Sequence, residues 1–442
     1  MKRILTLFGI LTLATACSKT DAPSLHLVAE ASEIGNPSIS RSDSTSDWPM
    51  FHGPNGDNKS PETGLLESWP EGGPELLWQI SDIGEGVSGY SSIAIQAGRL
   101  FTSGNRNRRS MVFCYDSTGR KLWEYDNGPA WTGSYPGTRS TPTVDGGRVY
   151  DLSPHGELVC LNVETGKPIW SRNILNDYEG KIIMWALAES VRIDGQKLIC
   201  SPGGRKASVV ALDKMTGKPI WEAVPTEFNA GYSTSTVFTQ DGLRILAQMN
   251  SGGLMGIDIE TGKMLFTFPY PQDDGMHANS PIYHDGHLAV IATNSARNRR
   301  GVIQLRVSVN GNNASVSEVW RNNDMDNLFN SVVLLDGYLY GSAYENKRGV
   351  FLCIDWKTGK SLYERRDAGR GCLTYADGLI YYLGETGEFR LIRPNPEKYD
   401  VASQWTLPEN GEGNSWAHPV IHDKKLYIRH GVYMYCYDIA KK

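Results

Sequence analysis

The stretch ALDKMTGKPIW, residues 211–221, decides the fold because close copies of it recur along the 442-residue chain. Asp213 starts a turn, since its side chain can accept hydrogen bonds from backbone N–H groups two residues further on. Gly217 supplies the positive φ that such a turn needs without steric cost. Alternating apolar residues on both sides predict two strands. Further copies end on an aromatic residue seven or eight positions after the Asp or Asn, and they cover residues 114–123, 160–170, 256–266 and 353–363.

The closing aromatic residues of these copies belong to a longer series that also includes weaker repeats. The eight members are Trp78, Trp123, Trp170, Trp221, Phe266, Trp320, Tyr363 and Trp405. They lie 42 to 54 residues apart, which is the length of one four-stranded propeller blade. Each large ring is expected to pack between neighbouring units. The series therefore predicts a ring of blades docked through aromatic residues.

The two ends of the chain predict how this ring closes. Residues 75–78 form a closing strand before the first complete unit, and the last unit, residues 416–439, stops before its own closing strand. Joining them removes an open sheet edge. We therefore predict an all-β fold: an eight-bladed β-propeller of four-stranded antiparallel blades, closed by the N-terminal strand. A seven-bladed ring is the alternative, because the Trp405 unit is degenerate.

The N-terminus has the pattern of an export signal. Lys2 and Arg3 precede an apolar run, residues 4–16, which is too short to span a bilayer and ends before Cys17. We predict a lipoprotein signal peptide (1–17) with lipidation at Cys17, a flexible Ser/Thr/Asp/Pro-rich tether (18–46) and the propeller (47–442). An ordinary signal peptide is the alternative. Ser18, by resemblance to proteobacterial sorting, favours a lipid-anchored protein in the cell envelope, on the outer membrane and facing the periplasm.

Charge and cysteine usage argue against a nucleic-acid-binding protein and against a disulfide-bonded one. The formal net charge is −5 and no basic stripe is present, which argues against a nucleic-acid partner. Four cysteines occupy one repeat position that holds Ala211 and Gly256 in other copies, so we interpret it as a slot for a small buried side chain. These are Cys114, Cys160, Cys353 and Cys436. Cys200 and Cys372 lie elsewhere, and we expect no structural disulfide.

The motif Ala-x-Asp-x-x-x-Gly-Lys-x-x-Trp, matched in full by residues 211–221, resembles the tryptophan-docking motif of the pyrroloquinoline quinone (PQQ)-like propeller superfamily. The resemblance covers roughly residues 47–442. It implies two kinds of relative: quinoprotein dehydrogenases, and non-enzymatic BamB-like lipoproteins that serve outer-membrane β-barrel assembly. The dehydrogenases clamp PQQ between a Trp and a disulfide of adjacent cysteines, with Ca²⁺ on carboxylate and amide oxygens. This sequence has no adjacent cysteine pair, so we expect no cofactor and no metal site; PQQ and calcium enter only under the alternative.

Alignment of the blades on their first strands gives a set of candidate ligand residues. The starts of these strands meet at one mouth of the central channel, where many propellers bind ligands. The candidates are Tyr90, Arg139, Glu189, Tyr232, Asn279, Asn330, Arg370 and Trp416, with His418 nearby. Glu189 is the single carboxylate among them and could be a calcium ligand or a base, although we interpret it as a polar channel residue paired with an Arg. Equally, the whole set could simply satisfy hydrogen bonds around a water-filled channel.

These observations favour a non-catalytic envelope lipoprotein whose propeller face binds a protein or polysaccharide partner, with the membrane contacted through the lipid anchor. A PQQ-dependent alcohol-type dehydrogenase is the first alternative. A carbohydrate-binding propeller in polysaccharide use is the second.

Overall fold

A computed structural model describes residues 26–27, 47–270, 276–292, 301–328, 332–344, 349–408 and 411–442. The predicted signal peptide with Cys17, most of the predicted tether, and Asn330 lie outside these ranges. No helix within them is long and apolar enough to cross a bilayer.

Strands dominate the described chain, and they are numbered here in chain order. Two of them precede the first full blade: β1 (His26–Leu27) and β2 (Glu75–Ile80). Blade 1 contains β3 (Ala94–Gln96), β4 (Arg99–Arg106), β5 (Arg109–Asp116) and β6 (Lys121–Pro129). Blade 2 contains β7 (Thr143–Asp145), β8 (Arg148–Leu152), β9 (Glu157–Asn162) and β10 (Pro168–Asn173). A short helix, α1 (Ile174–Tyr178), leads to blade 3, with β11 (Arg192–Asp194), β12 (Lys197–Cys200), β13 (Val210–Asp213) and β14 (Pro219–Glu222).

The next three blades repeat this order. Blade 4 contains β15 (Thr236–Gln240), β16 (Leu243–Asn250), β17 (Gly253–Asp258) and β18 (Met264–Pro269). Blade 5 contains β19 (Ile282–His284), β20 (His287–Ala292), β21 (Gly301–Asn310) and β22 (Asn313–Asn322). Blade 6 contains β23 (Val332–Leu335), β24 (Tyr338–Ala343), β25 (Val350–Asp355) and β26 (Ser361–Arg365).

The last two blades complete the ring. A 3₁₀ turn (Arg366–Ala368) precedes blade 7, with β27 (Gly371–Ala376), β28 (Leu379–Gly384), β29 (Glu388–Arg393) and β30 (Asp400–Thr406). Blade 8 contains β31 (Val420–His422), β32 (Lys425–His430) and β33 (Tyr433–Asp438). Its fourth strand is β2, which pairs antiparallel with β33 and places Trp78 opposite Cys436. The eight-bladed propeller closed by the N-terminal strand is thus confirmed, and the seven-bladed alternative is wrong because the Trp405 unit forms a complete blade.

Within the predicted tether, β1 adds to an outer blade edge. It pairs antiparallel with β10, with Leu27 opposite Trp170, so that blade 2 carries a fifth strand.

The closing tryptophans hold each blade to the next through one recurrent contact. The indole N–H of Trp170 donates to the backbone oxygen of Lys214 at 3.0 Å, directly after the Asp that opens the turn in blade 3. The glycine of the same turn lies against the indole, because a Cβ on Gly217 would be 2.8 Å from the ring. The same hydrogen bond joins four further pairs, namely Trp78 to Ser117, Trp123 to Val163, Trp221 to Ile259 and Trp320 to Trp356.

The other three closing aromatics pack differently. Phe266 lies over Gly256 of its own blade and joins an apolar cluster that continues into blade 5. The Tyr363 ring is 6.5 Å from that of Tyr399 in blade 7. Trp405 packs on the N-terminal segment, 5.5 Å from the ring of Trp69.

This arrangement predicts a specific cost for adding a methyl group at Gly217. Its φ is +70° and the indole of Trp170 occupies the space a side chain would need, so Gly217→Ala should lower the free energy of unfolding by about 2–3 kcal/mol. Gly242→Ala is the matched control: its φ is +81° with nothing within 4 Å, and the expected loss is about 1 kcal/mol. Urea denaturation measures both. Equal losses in the two variants would contradict a docking role for the contact.

The predicted small-residue slot lies directly across the sheet from six of the eight closing aromatics, whereas Gln304 lies opposite Trp320 and Phe389 opposite Trp405. The pairs are Cys114 with Trp123, Cys160 with Trp170, Ala211 with Trp221, Gly256 with Phe266, Cys353 with Tyr363 and Cys436 with Trp78. A β-bulge adjoins each pair, which twists the outer strand and turns the aromatic toward the next blade. The six cysteines in the described part of the chain are buried, and none forms a disulfide with another of them.

Hydroxyl groups join the innermost strands around the channel, a feature that sequence analysis missed. The Thr141 hydroxyl accepts a hydrogen bond from the Ser92 N–H at 2.9 Å, and the Ser190 hydroxyl accepts from the Thr141 N–H at 2.9 Å. The Thr234 hydroxyl accepts from the Ser190 N–H at 3.2 Å. The buried backbone N–H groups just before these short strands are thereby satisfied from blade to blade.

Candidate functional site

Aromatic and arginine side chains converge where the innermost strands begin. The Tyr90 ring lies 4.6 Å from the ring of Trp416, and the Arg139 guanidinium lies over Tyr90 at 5.5 Å. Tyr135, from the loop before blade 2, packs 5.1 Å from Trp416 on its other side. Blades 8, 1 and 2 thus contribute to one continuous cluster at this mouth.

The cluster continues toward blades 7 and 6 through an ion pair. The Trp416 indole N–H donates to Glu385 Oε1 at 2.6 Å, and Arg370 Nη2 lies 2.5 Å from Glu385 Oε2. The Arg370 guanidinium in turn lies 4.7 Å from the centre of the Tyr344 ring. A partly buried carboxylate is therefore held between an indole and a guanidinium.

In the opposite direction the cluster reaches blade 4. Arg139 Nη1 donates to the backbone oxygen of Trp185 at 3.2 Å, and the Trp185 N–H donates to the Tyr232 hydroxyl at 3.2 Å. The Trp185 indole N–H also donates to Ser134 Oγ at 3.1 Å. We call the whole set the mouth arc: Tyr344, Arg370, Glu385, Trp416, Tyr90, Tyr135, Arg139, Trp185 and Tyr232.

Five of the nine predicted ligand residues thus lie in the mouth arc, and four arc members were missed. Tyr135 and Trp185 are in loops that lead into blades, while Tyr344 and Glu385 follow second strands, so strand alignment could not assign them. Among the remaining predictions, Asn279 is buried and donates to the backbone oxygen of Asn327 at 2.5 Å.

Glu189 lies below the arc as a buried acid. Its carboxyl oxygens accept hydrogen bonds from the Ser201 N–H at 2.9 Å and the Ser201 hydroxyl at 3.2 Å, in place of the arginine that the sequence suggested. Burial raises the pKa of Glu189 to about 8, and the two hydrogen bonds offset only part of this effect. The group is therefore mainly protonated at neutral pH.

This raised pKa predicts a pH-dependent contribution to stability. Above pH 4.5, the ordinary value, the unfolded chain loses the proton while the folded chain keeps it up to about pH 8. Stability from this group is therefore highest below pH 4.5 and declines toward pH 8, by at most about 1.4 kcal/mol per unit. Glu189→Gln should flatten that decline in urea titrations at several pH values. Asp151, whose burial raises its pKa to about 7, contributes a decline of its own to both proteins; identical slopes in the parent and in Glu189→Gln would contradict the assignment.

The donor groups present do not fit a PQQ–calcium centre. Ca²⁺ takes six to eight oxygen ligands, whereas Glu189 is engaged by Ser201, and the mouth carboxylate Glu385 lies against the Arg370 guanidinium. In the ranges that the structure describes, no three His, Cys, Asp or Glu side chains are grouped as a metal would need. The buried single cysteines also offer no vicinal disulfide. We therefore derive no reaction step through these groups.

The opposite end of the channel is crossed by residues 48–60, which we call the plug. Trp48 exchanges two backbone hydrogen bonds with Ile95 of blade 1, and Pro49 accepts one from Val144 of blade 2. Farther along, the Ser60 N–H donates to the backbone oxygen of Tyr375 in blade 7 at 2.8 Å. The chain then continues outward to β2. The sequence predicts the start of an ordered body here but not its path across the channel.

His418 lies within the channel rather than in the mouth arc. It is 3% exposed, and its ring is 4.9 Å from that of His52 and 5.1 Å from that of Phe51, both in the plug. The plug therefore reaches up to the level of this residue.

Two classes of protein resemble the chain in sequence. BamB from Moranella endobia (strain PCIT) is 23% identical over 283 residues, covering 60% of this chain and 67% of that protein. A quinoprotein ethanol dehydrogenase from Pseudomonas aeruginosa is 28% identical over 159 residues, covering 32% of this chain and 25% of the enzyme. The chain thus aligns with only about a quarter of that enzyme.

Solved structures show the same two classes. Quinohemoprotein alcohol dehydrogenase from Comamonas testosteroni superposes with a TM-score of 0.63 at 12% identity, covering 91% of this chain and 82% of that chain. BamB from Moraxella catarrhalis superposes with a TM-score of 0.53 at 14% identity, covering 82% and 97%. These likenesses establish the fold.

The family model described as "Outer membrane protein assembly factor BamB" matches residues 108–363. Because this match spans more than half of its length, the chain belongs to the BamB family of PQQ-like propellers.

Proposed function

We propose that this protein is a non-catalytic scaffold of the cell envelope whose mouth face binds a protein partner, as an outer membrane assembly factor would. The observation that carries the proposal is a group of exposed apolar side chains on successive loops of that face. They are 45 to 63% exposed and comprise Tyr135, Ile182, Met184, Val224 and Phe228. We call this group the apolar face.

The loops that bear these side chains are held together. The Lys206 N–H donates to the backbone oxygen of Tyr178, and the Thr226 N–H donates to Ser208 Oγ at 2.7 Å. A fixed set of exposed apolar residues beside a cluster of Tyr, Trp and Arg is typical of a protein interface, because such residues contribute most of the binding energy there. The support comes from this surface together with membership of the BamB family.

Photo-crosslinking from the two faces of blade 3 tests the proposal. Met184 is 54% exposed on the mouth face and Met215 is 43% exposed in the turn at the opposite face. With a photoreactive amino acid at position 184, we expect a discrete adduct with a component of outer-membrane β-barrel assembly in the host envelope. Position 215 should give none. Adducts from both positions, or from neither, would count against a partner on the mouth face.

Lipidation at Cys17 is a separate part of the proposal. We expect labelled fatty acid to be incorporated into the parent chain, and Cys17→Ser to abolish the label and release the propeller from the membrane fraction. If the parent chain stayed in the membrane fraction without incorporating label, the predicted lipid anchor at Cys17 would be wrong.

The dehydrogenase alternative has a direct test. Purified protein would be titrated with PQQ and Ca²⁺, and reduction of an artificial electron acceptor would be followed with an alcohol present. We expect neither saturable binding nor reduction; both together would overturn the scaffold assignment.

A further inference from the structure

Arg192 is a channel arginine for which no hydrogen bond is found within the described part of the chain. It begins β11 in the inner wall of blade 3 and is partly buried. Its guanidinium lies beside the plug, because a Cβ on Gly56 would be 2.6 Å from Nη1. Its Nε is buried with no hydrogen-bond partner among the described residues. Burial also lowers its pKa. A cation removed from water in this way is costly unless an anion compensates it.

Two histidines bring further potential positive charge to the same part of the channel. His52, from the plug, and His418, from the wall of blade 8, are 4% and 3% exposed, with ring centres 4.9 Å apart. Burial holds the pKa of His52 well below its usual value, and the charges of His418 and Arg192 lower it further. The three groups are therefore close enough to oppose one another's charge.

The carboxylates that face these groups do not neutralise them. Asp57 in the plug and Asp194 at the end of β11 both lie within electrostatic reach of Arg192. However, Asp194 is paired with Arg244 at 2.5 Å, and the Asp57 carboxylate accepts a hydrogen bond from the Lys59 N–H at 3.3 Å. Neither carboxylate forms an ion pair with Arg192 within the described chain. Arg192 is therefore a desolvated cation with which no carboxylate of the described chain forms an ion pair.

We propose that the channel, between the mouth arc and the plug, binds a small inorganic anion of the chloride or phosphate class at Arg192, His52 and His418. A guanidinium is suited to such a ligand because its N–H groups donate in a fixed fork. The plug covers one end of the channel, so the site favours a small ion that enters from the mouth. The proposal is independent of the protein-binding function above.

The bound anion would have a structural consequence. Arg192 belongs to blade 3, His418 to blade 8 and His52 to the plug, so one ion would connect the N-terminal segment to two separate blades. It would also favour protonated histidines, which makes binding stronger as the pH falls. The anion should therefore stabilise the folded chain, and more at about pH 5 than at about pH 7, because burial holds the pKa of His52 well below 6.5 and its protonation is reached only on the acid side of that value.

Thermal unfolding of the full mature chain tests this in sodium chloride and sodium phosphate, against sodium gluconate at equal ionic strength. We expect chloride or phosphate to raise the unfolding midpoint saturably, by on the order of 2 °C or more, with the larger effect at the lower pH. Arg192→Gln should remove the anion-specific increment. Arg148 is a half-buried arginine at the start of β8, and Arg148→Gln should keep the anion-specific increment. The chloride and phosphate arms identify which ion is preferred.

A second readout avoids dependence on the stability of one variant. Chloride-35 NMR should show excess line broadening with the parent protein that phosphate competes away, and His418→Gln should weaken chloride binding about tenfold, the effect of losing one charge-assisted hydrogen bond. Equal midpoints in chloride, phosphate and gluconate, or an increment unchanged in both Arg192→Gln and His418→Gln, would overturn the proposal.

Discussion

Arg429→Met is expected to lower the free energy of unfolding by about 4 kcal/mol, because this arginine joins the last blade to the first. Arg429 is on β32 of blade 8 and is 1% exposed. Its Nη1 donates to the Ser91 backbone oxygen at 3.0 Å and to Thr102 Oγ1 at 2.9 Å, both in blade 1, and also to the Ser103 oxygen. Removal of the guanidinium leaves these buried acceptors without donors, and each unsatisfied acceptor costs about 1–3 kcal/mol.

The charge of Arg429 persists at neutral pH even though no carboxylate among the described residues pairs with it. Burial lowers its pKa to about 9, and the surrounding oxygens hold the protonated form. Arg429→Lys keeps the charge but supplies fewer donors. We therefore expect its free energy of unfolding to lie between those of the parent and of Arg429→Met.

Guanidinium denaturation gives the required free energies. Arg306→Met, at an exposed position on β21, is the control and should change stability by less than about 0.5 kcal/mol. If Arg429→Met changed the free energy of unfolding as little as that control, the hydrogen bonds of Arg429 to blade 1 would not stabilise the fold.

The fold could be predicted from sequence because its determining contacts are local. Asp213, Gly217 and Trp221 fall within one hairpin and recur with the same spacing, so each copy independently indicates the same turn and the same closing ring. Closure was also predictable, since the missing strand of the last unit and the extra strand before the first are both visible. What the repeat could not reveal is the different packing of Phe266, which lacks an indole N–H.

The mouth arc was only half predictable for a physical reason. Arg139 and Trp416 each lie four residues before an inner strand, β7 and β31, so the strand alignment places them at the mouth. Trp185 and Glu385 are in irregular loops, where no periodicity fixes the position of a side chain. The hydrogen bond from the Trp416 indole to Glu385 therefore became visible only in three dimensions.

The plug was missed for a related reason, because it belongs to no repeat. Its position depends on long-range hydrogen bonds, such as those of Ser60 to Tyr375 and Ile421, which are more than 300 residues away in sequence. The same segment explains why His418 was assigned to the mouth: without the plug, nothing indicated that Phe51 and His52 fill the channel beside it.

Trp48→Ala is expected to release the plug and to cost about 3–5 kcal/mol. Trp48 is 1% exposed and packs with Ile83, Ile95 and Tyr427, which come from blades 1 and 8. Its ring also fixes the turn of the plug, since a Cβ on Gly53 would lie 2.9 Å from it. Loss of the indole leaves a cavity that this side of the channel cannot fill without moving the segment.

One measurement and one control variant separate plug release from a general loss of stability. Limited proteolysis should cut Trp48→Ala within residues 48–60 under native conditions, while the parent is protected there, because local opening precedes global unfolding. Trp131→Ala, at the partly exposed mouth, is the matched control and should leave the plug protected, with a loss below about 2 kcal/mol. If Trp48→Ala unfolded globally before any cleavage in the plug, the segment would be an integral part of the closed ring rather than a separately docked element.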